Sequence, residues 1–199
     1  RELYADTESK KSYSQHAQTM AVLSEVIAGE PARRLMDRAL TAPGLAVPGL
    51  FFKFYVHCAL AKVGEGDSYL DRLGDWRDML SKGLTTFAEV VDRPGQASRS
   101  DCHAWSASPN IEIFRTVLGV DSAGPGFKRV TIHPHLGKLT RVQASVPHPK
   151  GSVEVRIEPA GANSFSVHIV LPPGVTGEFS WRAIHHELPS GSTLVNVRD

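Results

Sequence analysis

A carboxylate, an imidazole and an indole lie close together near the middle of this 199-residue chain. Glu89 ends a Thr-rich stretch, and His103 and Trp105 follow it where the next helix would begin. Such a set can act on a polar ligand, because a carboxylate can accept a proton and an imidazole can donate one hydrogen bond while accepting another. The same stretch is also compatible with a simple helix–helix connection in which Asp101 caps the second helix.

The residues up to about 120 have the spacing of amphipathic helices. Ser14 is suited to cap a first helix, Pro31 to begin a second one, and Gly64 and Gly83 to end two more. The apolar stripes are Met20, Leu23 and Ile27; Leu35, Ala39 and Leu40; Phe52, Tyr55, Val56, Ala59, Leu60 and Val63; Tyr69, Leu70, Leu73, Trp76 and Leu80; and Ile111, Phe114, Val117 and Leu118. Helices joined by short Gly/Pro connections predict αα-hairpins. They fit either the last part of a larger helical barrel or a small independent bundle.

After Gly124-Pro125-Gly126 the apolar residues alternate with polar ones, which is typical of half-buried strands. Short strands with Gly/Pro turns between them predict an antiparallel β-sandwich. The alternating sets are Val130 and Ile132; Val142, Ala144 and Val146; Val153, Val155 and Ile157; Phe165, Val167, Ile169 and Leu171; Phe179 and Trp181; and Leu194 and Val197.

Composition narrows the classes of partner. The chain has 22 basic and 21 acidic residues and no basic stripe, which argues against nucleic acid. No apolar run approaches the ~18 residues of a membrane-spanning helix. Because the chain begins at Arg1 without an initiator Met, we expect it to be part of a longer protein whose compartment these residues do not predict. Cys58 and Cys102 are expected to be free thiols.

Several ordered motifs occur in both halves of the chain. They are Trp76-Arg77-Asp78-Met79-Leu80, Gly83-Leu84-Thr85-Thr86-Phe87-Ala88-Glu89, Arg99-Ser100-Asp101-Cys102-His103-Ala104-Trp105-Ser106, Val117-Leu118-Gly119-Val120, Pro125-Gly126-Phe127-Lys128, Ile132-His133-Pro134-His135-Leu136-Gly137 and Val146-Pro147-His148-Pro149-Lys150-Gly151. Together these motifs resemble the C-terminal end of the bacterial α-L-rhamnosidases, and the resemblance fades after about residue 155. That family has an (α/α)6 barrel followed by a β-sandwich, so the resemblance implies that residues 1–122 are the last arc of the catalytic barrel and residues 123–199 the sandwich domain.

The resemblance implies that Glu89 is the general base of an inverting glycosidase, since the family's base follows a Thr-Thr pair by three positions. Inverting enzymes use two carboxyl groups about 6.5–9.5 Å apart, one to protonate the leaving oxygen and one to activate water. The family usually has Trp before this Glu and often an aromatic residue two positions after it, where this chain has Ala88 and Val91. The family's acid lies in an upstream motif that has no match here, so we expect the chain alone to be inactive.

Three further residues are predicted to bind substrate. The resemblance places His103 at the rhamnose hydroxyls; the alternative is a His that caps or packs at a helix start. Trp105 could offer an apolar face to the sugar or be a core residue. Arg99 could orient Glu89 or Asp101, or be a solvated loop residue.

No metal site and no cofactor are predicted. Two pairs of later histidines lack Cys or carboxylate partners at zinc spacing, and hydrolysis by two carboxyl groups requires no cofactor. These histidines are His133, His135, His185 and His186.

We therefore expect the C-terminal part of an inverting α-L-rhamnosidase whose partner is a rhamnose-containing glycoside. Apolar stripes around Phe52, Tyr55 and Trp76 would expose a barrel surface that favours self-association. One alternative is a carbohydrate-binding or structural module in which Glu89 only completes a turn. Another is a related (α/α)6 glycosidase for a different sugar, because a fold does not dictate its substrate.

Overall fold

The computed structural model describes residues 3–91 and 99–198. It divides into two compact units, Arg1–Pro109 and Asn110–Asp199. The first unit is helical, and the second consists of strands after a short helical segment up to Val117, as the change of apolar period predicts. Within the described residues, no helix is long and apolar enough to cross a bilayer. Cys58 and Cys102 form no disulfide within the described residues.

The helical unit packs its first three helices around one apolar core. The α-helices of the chain are α1 (Gln15–Leu23), α2 (Gly29–Thr41), α3 (Leu50–Lys62), α4 (Gly74–Ser81) and α5 (Pro109–Glu112), and short 3₁₀ helices cover Gly66–Ser68, Leu70–Arg72 and Ala104–Ser106. The buried core of α1, α2 and α3 consists of Ala21, Val22, Ala32, Leu35, Met36, Val56, Ala59 and Leu60.

Ser14 caps α1, as its position in the sequence predicts. Its hydroxyl oxygen accepts a hydrogen bond from the backbone N–H of Ala17 (3.2 Å) and donates one to Asp6 (2.6 Å). The helix is shorter than the apolar stripe suggested: it ends at Leu23, and Glu25 adopts a left-handed conformation with φ 62°. Met20 therefore lies on the exposed side of α1 rather than in the core.

The continuous helix predicted around Trp76 is broken. Residues 66–72 form two 3₁₀ turns, and α4 begins only at Gly74. Glycine is a poor helix former, and Gly74 lies where the chain changes from one geometry to the other. Trp76 is 6% exposed, so it is buried by this chain itself and is not part of an open apolar surface, whereas Leu80 is 73% exposed.

The predicted last helix is present but irregular. Pro109 is the first residue of α5, as expected for proline in a first helical turn. From Ile113–Val117 the backbone widens into a π-helix. Glu112, at the junction, is 2% exposed, and its carboxylate accepts hydrogen bonds from Thr116 (3.0 Å) and Arg115 (3.2 Å). Burial raises the pKa of Glu112, and the bonds from Thr116 and Arg115 oppose that rise.

The second unit is a β-sandwich of two four-stranded sheets. The strands are β1 (Val120–Ser122), β2 (Arg129–Ile132), β3 (Val142–His148), β4 (Gly151–Gly161), β5 (Ser164–Leu171), β6 (Thr176–Trp181), β7 (Ile184–Leu188) and β8 (Gly191–Arg198). One sheet has the order β1-β2-β6-β7 and the other β3-β4-β5-β8. The apolar side chains between them, including Ile132, Ile157, Ile169 and Phe179, are fully buried. Trp181 belongs to this core.

One pair of strands departs from the predicted antiparallel arrangement: β2 and β6 run parallel. After β2 the chain builds three strands of the opposite sheet and then returns beside β2 in the same direction. The sequence period cannot reveal this, because alternation fixes which face a residue occupies but not the direction of the neighbouring strand. Gly177 permits the close approach, since a Cβ there would lie 2.5 Å from the carbonyl oxygen of Val130.

Gly119 is required at the entry to the sandwich. It adopts φ +80°, and a Cβ at this position would lie 2.1 Å from the backbone carbon of His133. Its carbonyl accepts a hydrogen bond of 2.9 Å from the His133 N–H. A side chain would therefore both strain the backbone and push the two segments apart.

Candidate functional site

Glu89 and His103 lie on two short segments that are hydrogen-bonded to each other. The backbone N–H of Glu89 donates to the carbonyl of Ser100 (2.8 Å), and the N–H of His103 donates to the carbonyl of Phe87 (2.7 Å). The Thr86 hydroxyl also donates to the carbonyl of Asp101. Residues 86–89 and 100–103 thus form one rigid support for the carboxylate and the imidazole that the sequence places in separate motifs.

The carboxylate of Glu89 is shielded from solvent. Glu89 is 6% exposed, and one of its oxygens lies 3.2 Å from a guanidinium nitrogen of Arg99. Of the two carboxylates that Arg99 could orient, the structure places it on Glu89. The Arg99 side chain is itself 73% exposed, so solvent weakens the pair. The ion pair therefore contributes little to the stability of the fold, and its main effect is to orient the nearly buried carboxylate of Glu89.

His103, rather than Asp101, caps the short helix that follows. Its Nδ1 accepts a 3.4 Å hydrogen bond from the backbone N–H of Trp105, at the start of the 3₁₀ helix Ala104–Ser106. An imidazole nitrogen that accepts carries no proton, which leaves Nε2 as the donor of the neutral ring. Capping and ligand binding are therefore compatible in His103, because they use different nitrogens.

Trp105 is anchored on one edge and open on the other. Its indole N–H donates to the backbone carbonyl of Glu89 (3.0 Å), and its ring lies 4.3 Å from that of His103, centroid to centroid. The residue is 40% exposed. Its exposure shows that Trp105 is not a core residue of the described structure. The hydrogen bond of its indole N–H gives the ring a defined position next to the backbone of Glu89.

An aromatic residue that the sequence reasoning missed extends this surface. Phe51, in the first turn of α3, lies 5.6 Å from the Trp105 ring and is 48% exposed. Phe51 also contacts Tyr55 one turn later, at 6.0 Å between ring centroids. The sequence offered one signal for Phe51, because this residue lies outside the apolar stripe of α3. A large aromatic residue outside the buried face of its helix can indicate a binding surface.

A possible ligand cluster for a metal was also missed, on the sandwich. Side-chain atoms of Glu178, His185 and Glu187 lie within 4.8 Å of one another, because β6 and β7 bring together residues that are not at zinc spacing in the sequence. Arg129 already donates to both carboxylates, at 3.2 Å to Glu178 and 2.9 Å to Glu187, and these bonds raise the pKa of its guanidinium. This group therefore has the composition of a surface ion-pair network. His133 instead pairs with Ser180, 2.8 Å away.

Comparisons with known proteins find a family model that matches most of the sandwich. A family model described as the bacterial alpha-L-rhamnosidase C-terminal domain matches residues 119–191. This match begins at the glycine that opens the sandwich and covers most of its strands. No curated protein matches the chain.

Solved structures extend the similarity to the helical unit. A GH78 family rhamnosidase of Bacillus sp. GL1 is 29% identical and has a TM-score of 0.72; the match covers 86% of this chain and 20% of that one. An α-L-rhamnosidase from Aspergillus terreus is 19% identical with a TM-score of 0.79, over 93% of this chain and 24% of that one. An α-L-rhamnosidase from Streptomyces avermitilis, complexed with L-rhamnose, is 19% identical with a TM-score of 0.77, over 92% and 21%.

These matches agree with the family inferred from the ordered motifs, and the helices and paired sheets agree with its fold. The chain spans about a fifth to a quarter of the length of these rhamnosidases. The resemblance to the C-terminal part of the α-L-rhamnosidases is therefore confirmed, and residues 119–191 are similar to the bacterial alpha-L-rhamnosidase C-terminal domain.

Proposed function

We propose that this chain is the C-terminal part of an inverting α-L-rhamnosidase, with Glu89 as the general base. The observation that carries the proposal is the joining of residues 86–89 to residues 100–103, which brings together the segments that carry a shielded carboxylate, an imidazole and an indole. A general base must be oriented toward the water it deprotonates. The hydrogen bonds of the Glu89 backbone and the contact of its carboxylate with Arg99 support the proposal, because they hold this residue in one orientation.

The substrate we propose is a terminal α-L-rhamnoside. The Streptomyces avermitilis relative is complexed with L-rhamnose, which supports this sugar for the present chain. His103 would donate from Nε2 to a sugar hydroxyl, and Trp105 would cover the C–H and methyl face of the ring. Arg99 would hold Glu89 rather than the sugar, given its contact with that carboxylate.

We further propose that residues 1–122 are the last arc of an (α/α)6 catalytic barrel and residues 123–199 its sandwich domain. The general acid would then come from elsewhere in the barrel, and the chain alone would lack it. Exposed apolar side chains of the helical unit, among them Val47, Phe51 and Trp105, would favour self-association of the isolated chain.

The decisive experiment is Glu89→Gln in the intact enzyme. Loss of a general base predicts a kcat at least ~10²-fold lower with the fold unchanged. Glu112→Gln is the matched control, because Glu112 is also a buried glutamate but is held by Thr116 and Arg115. We expect the control to keep its kcat. A Glu89→Gln enzyme with near-normal kcat would remove Glu89 from the mechanism.

A further inference from the structure

We infer that Ser106 is a positioning residue for the carboxylate of Glu89; this inference rests on the proposed role of Glu89 as the base. The side chain of Ser106 donates a hydrogen bond of 2.6 Å to the backbone carbonyl of Ala88, the residue immediately before Glu89. Ser106 is completely buried. Its hydroxyl has one hydrogen, and the carbonyl of His103 is farther away at 3.0 Å.

Ser106 is in turn fixed from the opposite side by α4. The indole N–H of Trp76 donates to the backbone carbonyl of Ser106 over 2.7 Å, and this bond is also buried. Trp76 packs near His57 of α3, with 5.9 Å between ring centroids. A continuous buried path thus leads from the packed helices through Trp76 and Ser106 to the peptide unit that carries Glu89.

The Ser106 bond controls one end of that peptide unit. The carbonyl of Ala88 belongs to the peptide group whose N–H is that of Glu89, and this N–H donates to Ser100. Both polar atoms of one peptide plane are therefore held, and the rotation of that plane sets the direction in which the Glu89 side chain leaves the backbone. Removing the hydroxyl would leave the Ala88 carbonyl buried without this partner, and the plane would turn to find another.

Small rotations matter for a base that must reach a single water molecule. A displacement of about 1 Å at a catalytic group can lower the rate by about 10²-fold. Binding of the sugar would depend on the rings of His103 and Trp105. Ser106→Ala leaves in place the bond at Nδ1 of His103 and the bond of the Trp105 indole N–H. The inference therefore predicts a loss in kcat rather than in KM.

The test is Ser106→Ala in the intact enzyme. We expect kcat to fall about 10- to 100-fold, with KM within about 3-fold of the unmodified enzyme. Ser108→Ala is the matched control: its hydroxyl is buried two residues away and makes no hydrogen bond with any described residue. The control should leave kcat unchanged. Equal kcat for the Ser106→Ala enzyme and the unmodified enzyme would overturn the inference.

A second arm separates positioning from a general effect on structure. If Ser106 acts through Glu89, adding Ser106→Ala to Glu89→Gln should lower kcat by less than about 2-fold further, since the base is already lost. If the two losses multiply, Ser106 acts elsewhere and the inference fails. Near-normal kcat for Glu89→Gln alone would instead reject the proposed function, so the two failures are distinguishable.

Should Ser106→Ala fail to fold, Ser106→Cys decides the question. The thiol has nearly the same shape but is a weak donor. A folded Ser106→Cys enzyme with a lower kcat and an unchanged KM would support the inference, and one with full kcat would overturn it.

Discussion

The indole N–H of Trp105 and the backbone carbonyl of Glu89 share a hydrogen bond of 3.0 Å. This bond fixes the ring proposed to cover the sugar to the residue proposed to activate water. The Glu89 N–H is bonded to Ser100 at the same time, so both backbone polar atoms of Glu89 are used. The position of the carboxylate relative to the aromatic surface is therefore set by the backbone, whereas the exposed contact with Arg99 adjusts the side chain.

His103→Ala in the intact enzyme should mainly raise KM. The imidazole would bind the hydroxyls of the ground state and the transition state alike, and losing such a contact leaves kcat nearly unchanged. His103 also caps the 3₁₀ helix, which complicates the alanine variant. His103→Asn separates the two roles, because Asn can still accept at a cap but lacks the ring. Steady-state kinetics should give a raised KM for both variants; a normal KM for His103→Asn would assign His103 to capping alone.

The helices and strands were largely predictable from the sequence, because burial follows the apolar period. Ser14 lies at a helix start as predicted, and β4 and β5 follow their alternating patterns. The breaks were not predictable: the 3₁₀ turns before Gly74 and the parallel pairing of β2 with β6 depend on packing between distant segments. The apolar period predicts which face of a helix or strand is buried, but not which other element packs against that face.

The candidate site was predictable only in its residue types. The order of the motifs predicted the site residues Glu89, His103, Trp105 and Arg99. The contact of Arg99 with Glu89 is one of the two orientations that the sequence left open for Arg99. No motif predicted a role for Phe51 or Ser106. Their roles depend on long-range contacts, of Phe51 with Trp105 and of Ser106 with Ala88. The hydrogen bond that makes His103 a cap in place of Asp101 likewise depends on local geometry that composition does not reveal.

The isolated chain should not hydrolyse aryl rhamnosides. It supplies a base but, by the proposed function, no acid to protonate the leaving oxygen. The measurement is release of a chromogenic aglycone by the purified chain, with its Glu89→Gln variant as the background control. Turnover that exceeds this control would mean that the acid lies within these residues.

The stability of the isolated chain should fall in acid because of His57. This residue is 4% exposed, and burial is the main cause that lowers its pKa to about 4, with Lys53 and Arg72 acting in the same direction and Asp75 against it. The unfolded chain takes up the proton near pH 6.5. Between about pH 6.5 and 4 the unfolded state therefore binds more protons, so the contribution of His57 is complete above this window and is lost as the pH falls through it.

The free energy of unfolding should be lower by about 3 kcal/mol at the acid end of this pH window because of His57. Urea unfolding at several pH values would measure it as the difference between the unmodified chain and His57→Gln, which cannot titrate. His186→Gln is the control, since His186 is exposed. Parallel pH profiles for the unmodified chain and His57→Gln would show that folding does not lower the pKa of His57, which would contradict the prediction.

The intact enzyme should release rhamnose with inverted anomeric configuration. A base separated from the sugar by one water molecule gives single displacement, whereas carboxyl groups only ~5 Å apart give a covalent intermediate and retention. Ala88 is smaller than the Trp usual in the family and leaves more room beside Glu89. This room favours a water between Glu89 and the anomeric carbon.

NMR of the first-formed sugar, recorded before mutarotation, measures this stereochemistry. An α-rhamnoside should yield the β-anomer first, and the Ser108→Ala enzyme should do the same, because its hydroxyl makes no hydrogen bond near the base. The α-anomer as first product would mean that a carboxylate attacks the sugar directly. Glu89 would then be a nucleophile or a bystander, and its support by Ser106 and Trp105 would serve a different reaction.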